Sequence, residues 1–201
     1  MQERVRSRRR QEYRRAILDA AEEVFGRSGY GATKMSAIAS AAGVAIGTLY
    51  NYFDSKEAVF SALLERAQAE MFERISTAGP RTEGLARVEA IIRETLVAVE
   101  ERGRLFAVQL EAVGAAAEGA MDLEAHQQSY FVYVGLLRDA IEHAIACDEL
   151  RGDIDANTLA FSLAGSCRAF MFNWMISDRT HSIQEQAETI LELFVKGAQP
   201  A

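Results

Sequence analysis

Apolar positions recur every three or four residues along nearly the whole chain, and no run alternates apolar with polar residues between turn signals as a strand would. The pattern predicts an all-helical protein. A first helix is expected over about 10–27, with Ile17, Ala20, Ala21, Val24 and Phe25 on one face and Ser28-Gly29-Tyr30-Gly31 as its stop. Thr33 is suited to an N-cap, since its side-chain oxygen can accept from the free N–H groups of the next turn. It predicts a second helix over 34–42, ended by Gly43, the residue best able to take the left-handed turn after a helix. A third, short helix follows over about 45–53. Asp54 and Glu57 have capping-box spacing and predict a fourth helix, which carries Val59, Phe60, Leu63, Leu64, Ala67 and Met71 as far as Ala78-Gly79-Pro80.

Beyond Pro80 the helical period continues over about 84–102, 104–118, 122–147, 155–177 and 183–196, with breaks at Gly103, Gly119, 148–155 and 177–182. Ser182 and Glu185 repeat the capping-box spacing. The final helix has one apolar stripe, but the helix at 155–177 is apolar nearly all round, which predicts burial on every side.

At 201 residues the chain is long enough to bury a core without disulfides or a structural metal. Hydrophobic residues at 49% and charged residues at 25% exclude a disordered or collagen-like chain. Cys147 and Cys167 form no C-x-x-C and sit in apolar helical surroundings, so both are expected to be reduced core residues of a cytoplasmic protein. Neither an export signal nor an apolar run of about 18 residues is present, so no membrane partner is expected. The net charge of −7 argues against a nucleic-acid partner until it is divided: residues 1–56 carry +4 and the rest −11. That asymmetry makes the N-terminal part a candidate for nucleic-acid contact. Its sharpest element is Arg4, Arg6, Arg8, Arg9, Arg10, Arg14 and Arg15, opposed only by Glu3 and Glu12.

The stretch from Met35 to Tyr52 supplies the parts of a helix-turn-helix. Ile38, Val44 and Leu49 can share a core, Ala39 is small where the second helix must pass close, and Gly43 permits the turn. What remains outside on the second helix is Ala45, Ile46, Gly47, Thr48, Tyr50 and Asn51, a neutral, slender surface that fits a major groove. The arginines at Arg8, Arg9 and Arg10 suit a flexible arm beside that groove, gaining affinity through counterion release.

These residues carry a family resemblance. Ile17-Leu18-Asp19-Ala20-Ala21, Phe25, Gly29-Tyr30, Thr33, Ile38-Ala39, Ala42-Gly43-Val44, Gly47-Thr48-Leu49-Tyr50-Asn51-Tyr52-Phe53 and Ser55-Lys56-Glu57 closely resemble the DNA-binding domain of TetR-family transcriptional regulators. The resemblance implies an N-terminal three-helix DNA-binding domain followed by a larger helical ligand-binding and dimerisation domain. It implies a homodimer on a palindromic operator in double-stranded DNA, released when a small molecule binds. It divides the chain into a basic arm at 1–9, a DNA-binding domain at 10–56 and an effector and dimerisation domain at 57–201. It places Thr33, Tyr52 and Lys56 at phosphates and Ala45, Ile46, Gly47, Thr48, Tyr50 and Asn51 at base edges, Gly47 by allowing close approach. The second helix lacks Arg and Lys, which weakens any case for guanine readout.

For the larger domain, residue type nominates Leu105, Phe106, Leu110, Met121, Tyr130, Tyr133, Phe161, Phe170 and Trp174 as effector lining, hence an apolar or aromatic effector, with Arg168 and His126 as the polar groups to watch. The dimer face is expected on the last two helices, where Ala164, Gly165 and Ala169 allow close approach and Ile190, Leu191 and Phe194 supply buried area. Rival classes have less support. The three histidines match no metal-ligand spacing, no phosphate-binding or nucleophile motif is present, and neither an enzyme nor a cofactor is expected. A nonspecific architectural DNA-binding protein has no use for a large acidic domain with an apolar interior.

Overall fold

The computed structural model describes residues 2–78, 83–115, 123–177 and 181–198, with side chains described from residue 8 onward except at 110–115 and 123–127. Every regular element among them is helical: α1 (Gln2–Ala32), α2 (Met35–Ala41), α3 (Ile46–Tyr50), α4 (Lys56–Ala78), α5 (Gly84–Glu101), α6 (Gly103–Ala115), α7 (Leu123–Ala146), α8 (Ala156–Ile176) and α9 (Gln186–Ala198), with a 3-10 turn at Ile183–Glu185. These form two compact units. One holds α1 to α3, α4 as far as Ala67, and α6; the other holds the rest of α4 with α5 and α7 to α9.

The first unit closes around a core of Ile17, Leu18, Ala21, Phe25, Ile38, Leu49, Phe53, Val59, Phe60 and Leu63, joined by Leu105 and Val108 of α6. The expected boundary after residue 56 therefore lies too early, because the first turns of α4 are themselves core of this unit. Arg66 of α4 fastens α1 by pairing with Asp19 at 2.6 Å and Glu22 at 2.8 Å. Phe25, Tyr30 and Phe60 pack ring against ring, 5.0–6.0 Å between centroids, at geometries that add to their burial.

Three local expectations need correction. The first helix begins at Gln2, not near Arg10, so Arg8, Arg9 and Arg10 ride on a helix and not on a flexible arm. Arg, Gln and Glu are good helix formers, and Arg8 pairs with Glu12 one turn on at 3.5 Å. Gly29 breaks α1 as expected, at φ 73°, but Thr33 is no N-cap. Its hydroxyl donates back to the carbonyl of Gly29 at 2.6 Å, satisfying a group freed by that break, and Lys34 precedes α2 with no side-chain cap. At α4 the capping oxygen is that of Ser55, which accepts from Ala58 N at 3.2 Å, so Asp54 does not open the helix.

The second unit packs α5, α7, α8 and α9 through Ile91, Ile92, Leu96, Leu137, Ile141, Ala160, Leu163 and Leu191. Glu149 caps α5, its carboxylate accepting from Leu85 N at 2.7 Å. Gly84 serves that cap twice, by taking φ +57° and by leaving room where a Cβ would stand 2.1 Å from Glu149 Oε2. Asp155 caps α8, accepting from Thr158 N at 2.9 Å. Ser182 caps the 3-10 turn through Gln184 N and also donates to Glu100 Oε2 at 2.7 Å, which joins the start of the last helical segment to α5. Of the two cysteines only Cys167 is buried; Cys147 is exposed just past the end of α7, contrary to expectation, because its side chain lies on the solvent face beside His143 at 3.6 Å. No helix among the described residues is long and apolar enough to cross a membrane.

Candidate nucleic-acid interface

The turn between α2 and α3 is closed by Ala42 N to Ile38 O at 2.9 Å and Val44 N to Ala39 O at 3.0 Å, with Gly43 at φ +67° between them. Ala45, in extended backbone, then starts α3. This helix is shorter than the expected 45–53, since the N–H groups of Tyr52 and Phe53 both turn back to Leu49 O at 3.0 Å. Leu49 is the residue that anchors it, fully buried in the core. Its other residues face outward. Ile46 is 44% and Tyr50 49% exposed; Ala45, Gly47 and Asn51 are exposed and Thr48 is half-buried. Gly47 has helical backbone and no atom within 4 Å of where a Cβ would stand, so neither conformation nor packing within the chain calls for glycine there. The result is a neutral ridge, low at Gly47 and flanked by Ile46 and Tyr50.

Positive charge lies beside this ridge. Tyr13 and Arg14 of α1 meet the segment just after α3: the Tyr13 and Tyr52 rings are 6.3 Å apart, and the Arg14 guanidinium lies 5.5 Å from the Phe53 ring centroid. Arg10 stands one turn before Arg14 on the same face, and Arg8 and Arg9 are exposed on the turn beyond. Lys34, exposed at the start of α2, adds a cation that the sequence reading passed over in favour of Thr33. Thr33 itself is 4% exposed with its proton given inward, so its hydroxyl does not face an outside phosphate.

Lys56 also turns inward. Its ammonium donates to Tyr30 O at 2.9 Å and Gly31 O at 3.4 Å and lies 4.4 Å from the Tyr30 ring centroid. Beside it, the Tyr30 hydroxyl donates to Glu57 at 3.1 Å. Burial, and then this carboxylate, push Tyr30 up to about 12. Glu57 is held below the usual carboxylate range by its own backbone N–H and by the Ser55 hydroxyl. Its stabilising effect is therefore present above that range and fades as acid protonates it. Lys56→Ala is accordingly expected to cost about 1–2 kcal/mol of stability, through two lost hydrogen bonds and a cation–π contact. Chemical denaturation measures this; an unchanged midpoint would return Lys56 to a purely external role.

Residues 17–63 match the family described as bacterial regulatory proteins, tetR family. The fatty acid metabolism regulator protein of Bacillus subtilis is 27% identical over 188 residues, covering 90% of this chain and 93% of that one. The transcriptional repressor KstR of Rhodococcus jostii is 39% identical over 97 residues, 47% of this chain and 44% of its own. Two solved structures share the fold: the fatty acid degradation regulator FadR of Bacillus halodurans, with TM-score 0.76 and 20% identity over 92% of this chain and 95% of that one, and FadR of Bacillus subtilis in complex with stearoyl-CoA, with TM-score 0.75 and 22% identity over 92% and 98%. Residues 17–63 of this chain are a TetR-family DNA-binding domain. The helix-turn-helix of α2 and α3 is its DNA-binding element, and transcription regulation is its role.

The other candidate residues do not form a single lining. Leu105 is buried in the core of the first unit, and Phe106 is half-buried on the same helix. The Leu110 and His126 side chains and all of Met121 lie outside the described residues. Tyr130, under the Arg168 guanidinium at 4.3 Å, joins Phe131 and Phe161 in an aromatic group whose last two members are exposed. Trp174 donates to His181 O at 2.8 Å, holding the end of α8 to the segment after it, and Phe170 is half-buried nearby. Tyr133 alone points into the packed interior of the second unit.

The expected dimer residues divide as well. Ala164, Ile190 and Leu191 are spent inside the chain, Phe194 is half-buried, and Gly165 and Ala169 are exposed. Helix α8 is not covered all round. One face packs within the unit, while Phe161, Phe172 and Ile176 stay exposed, because a single chain supplies partners for only part of an apolar circumference.

Proposed function

We propose that this protein is a homodimeric repressor that binds a palindromic operator through α3 and is released by an apolar small-molecule effector. The observation that carries the DNA reading is the α3 ridge, where Ile46, Gly47 and Tyr50 are exposed beside Asn51 and neither backbone nor packing within the chain calls for the glycine. Such a surface reads base edges by close approach and by the Asn51 and Thr48 side chains. Arg8, Arg9, Arg10, Arg14 and Lys34 supply phosphate contacts that fix orientation. Tyr52 supports this surface through its contact with Tyr13.

The effector reading rests on the apolar interior of the second unit and on the Bacillus subtilis relative, a fatty acid metabolism regulator similar over most of both chains. A ligand with a long apolar portion, such as a fatty acyl thioester, fits both. Helix α4 begins in the first unit and ends in the second, so ligand binding is coupled to DNA through one continuous helix. Release follows when the two recognition helices no longer match successive major grooves, about 34 Å apart.

Selection of bound sequences from a random DNA pool, with the mass of the free protein measured in parallel, tests this reading. A palindrome bound by a dimer and released by stearoyl-CoA with the dimer intact is the expected result. No enriched motif, with affinity falling smoothly as salt rises, would reduce the protein to a nonspecific binder. Loss of the dimer on release would refute the coupling.

A further inference from the structure

Tyr133 of α7 is 8% exposed, and its hydroxyl, sealed from solvent, makes no hydrogen bond. The polar side chains that face it are Thr95 of α5, Cys167 of α8 and, one turn earlier on α7, Tyr130. Thr95 gives its proton to Ile91 O at 2.7 Å, and its oxygen, still able to accept, does not reach hydrogen-bond geometry with the Tyr133 hydroxyl. The thiol of Cys167 is pushed up to about 12 by burial and stays neutral, a weak partner at best. Burial likewise raises Tyr133 far above its ordinary range, so the phenol keeps its proton and remains a donor without an acceptor. The surrounding turns carry Leu96, Leu137 and Leu163, all buried.

A buried donor left unpaired bears the full cost of its desolvation, and phenylalanine at this position would fill the same space without that cost. The hydroxyl therefore has its use in a state of the protein that brings an acceptor to it. That acceptor is uncharged: among the described residues no Lys, Arg or His is buried to balance a carboxylate.

We propose that Tyr133 is the polar anchor of the effector site, donating to the carbonyl of an otherwise apolar ligand, a thioester, ester, amide or ketone and not a free acid, with Thr95 and Cys167 bordering that carbonyl. This rests on the effector-released reading above.

The test pairs Tyr133→Phe with two probes, stearoyl-CoA and its S-octadecyl thioether analogue, which lacks only the carbonyl. Dissociation constants are measured on the full-length protein by titration calorimetry. The wild type is expected to bind the thioester about five- to tenfold tighter than the thioether, the value of one hydrogen bond, and Tyr133→Phe is expected to bind both alike at the thioether level. The unliganded variant is expected to unfold at or above the wild-type denaturant midpoint, since no internal bond is lost. A lowered midpoint would show that the hydroxyl is bonded within the protein and would overturn the proposal. An undiminished preference for the thioester in Tyr133→Phe would overturn the anchor alone. Failure of the wild type to bind either probe would overturn both the anchor and the acyl reading of the effector.

Discussion

Gly47→Leu is expected to abolish specific operator binding while leaving the folded protein at least as stable as the wild type. The two halves of this expectation have separate causes. Within the chain, the site of the missing Cβ is open and the backbone is helical, so a leucine enters without a clash and gives up the conformational freedom that glycine brings to the unfolded chain. Toward DNA the same open space is what lets the backbone of α3 come near the base edges, and four added carbons hold it away. Loss of the central contacts should weaken operator binding at least about 100-fold, or about 2.7 kcal/mol, with Gly47→Ala between leucine and the wild type. Fluorescence anisotropy at one fixed salt concentration reads the affinity, and thermal unfolding reads the stability. Full affinity in the leucine variant would mean that another surface enters the groove.

That glycine was visible in the sequence; what distinguished it from Gly43 and Gly84 was not. All three interrupt or border helical patterns, but only the backbone shows that Gly43 and Gly84 take positive φ while Gly47 does not. The turn was legible because its chemistry is local: Gly43 is the residue that takes the positive φ the turn requires. Capping was less legible, since Asp54 and Ser55 are adjacent and both suited to the role, and the choice between them depends on where the chain leaves α3. Thr33 was misread for a similar reason. A hydroxyl next to a helix start also lies within reach of the carbonyl freed at Gly29, and that carbonyl takes its proton.

The candidate effector residues show the limit more sharply. Periodicity tells which face of a helix is apolar, not what covers it. Leu105 and Tyr133 look alike in the sequence, yet the first is packed in the core of the DNA-binding unit and the second lies in the interior of the other unit. The all-round apolar character of α8 likewise signalled burial, correctly for Leu159, Leu163 and Cys167. On the remaining face Phe161, Phe172 and Ile176 are covered only in part among the described residues.

That face leads to the second large expected effect. On α8, Gly165, Ala169, Phe172 and Ile176 follow one another at intervals of four, three and four residues, an uninterrupted line along the exposed side. Phe172 is 46% and Ile176 62% exposed, and on the adjoining α9 Leu193 is 63% exposed. Large apolar side chains exposed in line mark an interaction surface when they are contiguous, and the small residues at the upstream end of the line let two helices approach closely. In a two-fold dimer each position meets the same surface on its partner, so one substitution enters the interface twice. In the proposed dimer the double variant Phe172→Glu with Leu193→Glu would bring four carboxylates into an apolar contact, and even one turn from Arg168 or Lys196 their desolvation costs more than the pairing returns. At micromolar concentration the variant is expected to sediment as a monomer where the wild type sediments as a dimer. Its helical circular dichroism should be retained, because both side chains face away from the packed interior of the unit. Operator affinity should fall at least about 100-fold, since each half-site then binds without the effective concentration that its tethered twin supplies. A variant that stays dimeric would place the subunit contact elsewhere on the chain, and a monomer with undiminished operator affinity would separate DNA recognition from dimerisation altogether.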